Sequence, residues 1–424
     1  MSINRLPLFS VVCFLMLAAA VPVFADWPQW RGPDRLGTIE KTNWPDALND
    51  QTLKTLWRVE LEPGYPGPIV SGDRVFAFES KGAEEEVVRA LSTKNGEELW
   101  GSGWKGAMRV PFFAKRNGDW VKSTPATDGE HVYAIGMQDE LVCLKAGDGE
   151  IVWQVDFKDR YGTQGPSFGQ PCSPLIDGDA LYIQAGMSVC RLDKKTGKTL
   201  WRALVDERQM IGGAFSSPAI ATIAGKRQLL VQTRGELCGV DLETGDVLWE
   251  KGIKAFRGMN ILPPTAIDEN HVFTSSYGGG SFMFKITADG DAGFDVELVW
   301  SHEKSEGYMS APQLIDGHLY MHGRNQTWWC LDAKTGEVKW SVKDKKKYGD
   351  YSTMVVNDDR ILCLGYDGIL RLIEPSPEKL NILSEYKVSD EETWGHLAVV
   401  GDVLYIRELE GLKAIRWAKP GGVN

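Results

Sequence analysis

The sequence predicts an all-β fold, an eight-bladed β-propeller of four-stranded antiparallel blades. Three observations carry the prediction. A ten-residue phrase returns as LDKKTGKTLW at 192–201, VDLETGDVLW at 240–249 and LDAKTGEVKW at 331–340. Its Gly-x-x-x-Trp core also stands at 96–100 and 149–153, and weaker copies end at Trp57, Trp300 and Tyr386. The anchors 57, 100, 153, 201, 249, 300, 340 and 386 span 329 residues in seven steps of about 47, a propeller-like period in a β-rich chain. The third observation is an alternating run after a tight turn in every period. DRVFAFE, EHVYAIG, DALYIQA, RQLLVQT, NHVFTSS, HLYMHG, RILCLG and DVLYIRE make eight such runs.

Each period reads as one blade. A small-residue segment such as STPAT, CSPLI or SSPAI opens the innermost strand, and the alternating run is the second. A third run such as ELVCLKA leads into the phrase, which turns the chain into a fourth strand holding the Trp. Asp before the turn accepts hydrogen bonds from turn N–H groups. Gly supplies the positive φ of a tight hairpin. Trp carries the largest apolar area and wedges between neighbouring blades. A blade buries neither face alone, and closing the ring removes its exposed edges. The C-terminal LKAIRWAKPGGVN lacks a fourth strand, so LKTLWRVEL near the start is expected to close the last blade.

The remaining elements follow in chain order. Residues 1–25 read as a signal peptide, with Arg5 before an apolar run and VFA as the cleavage site, so export to the periplasm or beyond is expected. Residues 26–50, rich in Pro, Gly and Trp, are expected to wrap the ring, with Trp27, Trp30 and Trp44 as plugs, or to dock a partner. Residues 51–424 form the propeller. The six cysteines beyond Cys13 sit far apart in strand-like runs and read as small buried hydrophobes. The net charge of −11 argues against a nucleic-acid partner, and KDKKK at 343–347 reads as a solvated loop.

The form Asp-x-x-Thr-Gly-x-x-x-Trp at 193–201, 241–249 and 332–340 resembles the tryptophan-docking repeat of pyrroloquinoline quinone (PQQ)-type propellers, and the resemblance covers essentially the whole mature chain. One branch of that superfamily contains PQQ-dependent alcohol and sugar dehydrogenases, which implies PQQ with calcium as a possible cofactor. Another contains the propeller lipoprotein of the bacterial β-barrel assembly machinery, a scaffold without cofactor. The opening DWPQWRGPDRLG is similar to the start of secreted PQQ-like propeller proteins of bacteria. The chain departs from the dehydrogenases in having no adjacent cysteines and no Cys-x-x-Cys-His. It departs from the lipoprotein in lacking its lipidated N-terminal Cys.

In this reading the phrase marks the bottom of the ring, and the loops that enter each inner strand gather at the top. Those loops offer a polar and aromatic funnel over the axis, where this fold holds ligands. The candidate ligand- or partner-binding residues are Arg116, Trp120, Gln170, Arg257, Asn260, Tyr308, Arg324, Tyr351, Trp394 and His396. The same loops could instead plug the channel with mutual hydrogen bonds. His131, His271 and His318 fall in equivalent bottom turns of separate blades and form no metal cluster. GGG at 278–280 lies in a hairpin, and DGDAGFD at 289–295 reads as an insertion loop rather than a calcium site. The favoured function is a non-catalytic scaffold of the cell envelope that binds a protein or envelope component. A PQQ-dependent oxidoreductase is the alternative, and a glycan-binding propeller, with Trp120, Tyr351 and Trp394 as stacking platforms, is the second.

Overall fold

The computed structural model describes residues 26–39, 44–207, 214–290, 293–357 and 359–418, excepting the side chains of Arg116 and Asn117. Within them, thirty-two strands form eight four-stranded antiparallel sheets, seven of them paired in consecutive chain order. These are the eight blades of a propeller, as the period predicts. Blades 1 to 7 cover 69–105, 126–156, 175–203, 219–252, 265–302, 313–343 and 352–387. Blade 8 takes three strands from 398–417 and its outer strand, Leu53–Glu60, from the start of the chain. The expected closing strand is therefore in place, with Trp57 opposite Ala414.

A register shift in every outer strand explains the Trp position. In blade 2, Trp153 faces Cys143 while Ile151 faces Leu144, so Val152 is bulged out. The same shift ejects Leu56, Leu99, Leu200, Leu248, Val299, Lys339 and Leu383 in the other blades. The bulge turns the following residue into the seam between blades. Six indoles then donate to a backbone carbonyl in the next blade. Trp57 reaches Thr93 (3.1 Å), Trp100 Ala146 (3.0 Å) and Trp153 Lys194 (3.1 Å). Trp201 reaches Leu242 (3.0 Å), Trp300 Ala333 (2.9 Å) and Trp340 Ser376 (2.8 Å).

Two seams break the pattern, each for a topological reason. Blade 5 carries the stretch 289–293 where the phrase would stand, of which 291–292 lie outside the described residues. Trp249 donates instead to Gln228 Oε1 of its own blade, 2.6 Å away. In blade 7 the register puts Ser384, not Tyr386, at the Trp position. The corresponding turn of blade 8 is the junction of the two chain ends, where Ala418 N–H meets the Thr52 carbonyl (2.7 Å). No continuous turn exists there to receive an indole. Trp44 and Leu48 fill the space, packed in one cluster with Leu370 and Leu372 of blade 7 and Ile415 and Trp417 of blade 8.

The N-terminal extension divides into two parts. Its second half, 44–50, lies along the outer rim, where Leu48 N–H donates to the Ser384 hydroxyl (2.9 Å). Its first half runs inside the ring. Trp27 bridges Val70 of blade 1 and Thr38 bridges Val356 of blade 7. Pro28 accepts from Thr127 N–H of blade 2 (2.8 Å), and Arg35 donates to Pro174 (2.8 Å) and Ser173 (3.2 Å) ahead of blade 3. A segment bonded to innermost strands on opposite sides of the ring must occupy the axis. The chain thus fills its own channel. The six cysteines are buried free thiols, as the sequence suggests.

Candidate functional site

Outer strands end, and inner strands begin, on the face opposite the phrase turns. The connections between blades and the hairpins between second and third strands therefore collect there. The predicted top-face residues are on or beneath this face, but they separate into groups instead of lining one funnel.

The first group caps the axis. Trp394 stacks on Tyr351 (centroids 5.6 Å, planes 18° apart) and tilts against Tyr65 (5.4 Å) and Tyr366 (5.3 Å). Tyr65 meets Trp120 edge-on at 6.0 Å. Lys122 Nζ lies 5.2 Å from the Tyr65 ring and donates to the Gly118 carbonyl (3.0 Å), and burial pulls its ammonium down to about 8. His396 lies below, against Trp27 (6.1 Å) and Trp30 (6.3 Å), and its Nδ1–H donates to the Leu397 carbonyl (2.8 Å). Burial, reinforced by the Arg31 guanidinium, pushes His396 down to about 3, so the ring is neutral. Tyr351 is buried, and burial lifts its phenol well above the usual value. Trp120, Tyr351, Trp394 and His396 thus meet around the axis, but chiefly as packing on one another and on the plug.

A second group stands over blades 4 to 6. The Arg324 guanidinium lies 4.2 Å from the Tyr277 ring and pairs with Glu306 (2.8 Å). Tyr277 touches Tyr308 (5.3 Å) and Phe256 (5.8 Å), and Arg257 lies over Phe256 (5.2 Å). The triple glycine 278–280 belongs to this site for a steric reason. A Cβ on Gly278 would stand 2.8 Å from that of Phe256, and one on Gly279 would collide with the Lys254 carbonyl.

Gln170 and Asn260 are buried in seams. Gln170 Nε2 donates to Asp139 (2.5 Å) and to the Gln184 carbonyl (3.0 Å), and Asn260 Nδ2 donates to the Thr233 carbonyl (2.9 Å). Burial raises the Asp139 carboxyl to about 6. Arg116 belongs to the 3₁₀ segment Phe112–Asn117, and its side chain lies outside the described residues. Sequence reasoning missed the most exposed aromatics of this face, Phe112 (84% exposed) and Phe113 (68%). They begin a row in which Phe113 meets Phe168 (6.1 Å) and Phe168 meets Phe215 (6.3 Å). The available signal was the pair of adjacent phenylalanines in a segment without strand alternation.

The axial donor set does not suit a calcium–quinone pair. Calcium takes six to eight oxygen ligands, largely carboxylates and carbonyls. Here the axis holds the buried guanidinia of Arg31 and Arg35 at Trp30, and like charge opposes a divalent cation. Asp34 in the plug is engaged by Leu36 N–H (2.9 Å) and the Thr38 hydroxyl. Among the described residues, Glu236, Cys238 and Glu250 of blade 4 are close enough to share a metal ion. Burial holds the Cys238 thiol protonated, which disfavours that set as well.

Comparison with known proteins agrees with the architecture. A family model described as outer membrane protein assembly factor BamB matches residues 83–342. The BamB of Salmonella typhimurium is 22% identical over 396 residues, covering 87% of this chain and 84% of its own. The crystal structure of BamB from Moraxella catarrhalis superposes with a TM-score of 0.60 at 16% identity, over 88% of this chain and 99% of that one. The quinohemoprotein alcohol dehydrogenase from Comamonas testosteroni does so with a TM-score of 0.65 at 13% identity, over 94% and 81%. At these identities the two structures speak to the fold alone. The chain belongs to the PQQ-repeat propeller family described as outer membrane protein assembly factor BamB.

Proposed function

We propose that this propeller is an exported, non-catalytic scaffold that binds a protein component of the cell envelope through its top-face loops. One observation carries the reading. The residues nearest the axis, His396, Tyr351 and the plug arginines, are buried in contacts with one another, whereas Phe112, Phe113 and Phe256 face outward. Exposed apolar side chains grouped on one face are the usual mark of a partner surface. The relatives' role in outer membrane protein assembly supports an envelope partner. Among the described residues no helix is long and apolar enough to cross a membrane, and export rests on residues 1–25, which lie outside them.

The test is site-specific photocrosslinking in intact cells from position 113, with position 95 on the bottom face as control. One envelope protein captured from 113 and not from 95 is the expected result. Equal capture from both, or none from either, would reject the top face as the binding surface. N-terminal sequencing of the mature protein checks export and should begin at Asp26.

A further inference from the structure

The pocket over blades 4 to 6 has a composition unlike its surroundings. It encloses about 240 Å³ and is lined by Lys254, Ala255, Phe256, Tyr277, Gly278 and Arg324. That is below the roughly 300–1,000 Å³ of pockets for drug-sized ligands, and it suits one large side chain better than a cofactor. Its walls are aromatic: Phe256 is half exposed, and Tyr277 is backed by Tyr308. Its rim is cationic in a chain whose net charge is −11. Arg324 is matched by Glu306, but among the described residues no carboxylate pairs with Lys254 or Arg257, both exposed.

The display carries a local backbone cost. Arg257 holds φ at +54°, a left-handed conformation unfavourable for a non-glycine residue. That turn sets its guanidinium over the Phe256 ring, 5.2 Å from the centroid. Phe256 N–H is in turn fixed by the Tyr277 carbonyl at 2.7 Å, with the triple glycine allowing the two segments to approach. The pocket is thus built on anchored backbone, with two unmatched cations at its mouth.

We infer that this pocket seats an acidic segment of a protein partner, with one aromatic side chain packed against Phe256 and Tyr277 and flanking carboxylates on Lys254 and Arg257. This deepens the scaffold reading and rests on it. Aromatic packing supplies the affinity, because hot spots concentrate in desolvated aromatic contacts. The charges supply steering and selection, and they weaken with salt.

The test uses the full mature chain and three capped, fluorescein-labelled peptides: Asp-Asp-Phe-Asp-Asp, Asp-Asp-Ala-Asp-Asp and Lys-Lys-Phe-Lys-Lys. Anisotropy at low ionic strength should show the acidic phenylalanine peptide binding about tenfold more tightly than either control. The Phe256→Ala variant and the Lys254→Glu/Arg257→Glu double variant should each weaken it by about tenfold. All three altered side chains are exposed, and unchanged thermal melting verifies folding. Equal binding of the alanine or lysine peptide, or unchanged binding by the variants, would overturn the inference. Crosslinking from position 113 separates the two claims. Capture there with no peptide preference here removes the pocket assignment and leaves the scaffold reading standing.

Discussion

At the residue scale the docking glycine does two jobs at once. Gly197 holds φ at +67°, and a Cβ added there would stand 2.8 Å from the Trp153 ring. Asp193 fixes the same turn by accepting from Lys195 N–H (3.0 Å) and Thr196 N–H (2.9 Å). Gly72 is the natural control, since its φ is +58° but nothing lies within 4 Å of a Cβ there. Gly72→Ala should cost about 1 kcal/mol from backbone strain alone. Gly197→Ala should cost about 2–4 kcal/mol, because overpacking adds to the strain. Urea denaturation of both variants checks this, and equal losses would mean that the indole yields freely.

Two buried histidines contribute to the acid response at the same scale. Burial pushes His396 down to about 3 and His322 down to about 4, against an unfolded value near 6.5. As pH falls below about 6.5 the unfolded chain takes up these protons first, so stability present above that pH is lost toward pH 4 and then 3. Glu86, raised to about 7 by burial, acts in the opposite sense, contributing stability that is lost as pH rises from about 4.5 through 7. His396→Gln isolates one side of this balance. Between pH 7 and pH 5 the wild type should lose about 2 kcal/mol more than the variant. Denaturant midpoints at the two pH values measure the difference, and parallel losses would show that His396 carries none of the dependence.

At the scale of elements, the seam between blades 7 and 8 is the informative one. Ser384 stands where other blades carry Trp, its hydroxyl accepts from Leu48 N–H (2.9 Å), and Trp44 packs against Trp417 (5.9 Å). The extension therefore supplies the missing wedge. Trp44→Ala should cost about 3–5 kcal/mol, as for a core aromatic, although residue 44 belongs to no strand. Hydrogen exchange should speed up first in Gly411–Trp417 and Asn381–Lys387. A loss below about 1 kcal/mol would make Trp44 a surface ornament rather than a wedge.

That seam also marks what the sequence could and could not disclose. The period and the eight second strands were legible because each depends on residues close in sequence, and the closing strand was legible because the last period is one strand short. Tyr386 was misplaced because an aromatic ended the seventh period at nearly the right spacing, while the bulge that fixes the true position at Ser384 exists only once strands pair. Trp249 reads like its siblings in VDLETGDVLW, yet its partner depends on the turn of the following blade. The extension announced itself as irregular and Trp-rich. Its path through the channel did not, since carbonyls such as Pro312 and Val356 become its partners only in the closed ring. The candidate residues were picked by loop membership, which places them on or near one face but cannot separate the packed ones, such as Asn260, from exposed ones such as Arg257.

At the scale of the whole molecule, stability is a ring of nearest-neighbour contacts joined at one point. Blades touch mainly their neighbours, so an opened ring behaves as a linear array and frays from its ends. The join is the antiparallel pairing of Leu53–Glu60 with Gly411–Trp417. Arg58 strengthens it by bridging to Glu408 (2.5 Å) and Glu391 (2.5 Å), the former largely buried. Two shortened chains separate plugging from closure. A chain beginning at residue 51 keeps the closing strand, and it should unfold at a lower denaturant concentration but still in one transition. A chain beginning at residue 62 leaves blade 8 with three strands and the edge of Gly411–Trp417 bare. It should unfold over a broadened transition and self-associate, because an unpaired strand edge templates pairing with another chain. Light scattering and denaturant titration read both effects. A monomeric, sharply two-state protein starting at residue 62 would show that the blades cohere without the join, and that the indole wedges alone suffice to hold the ring.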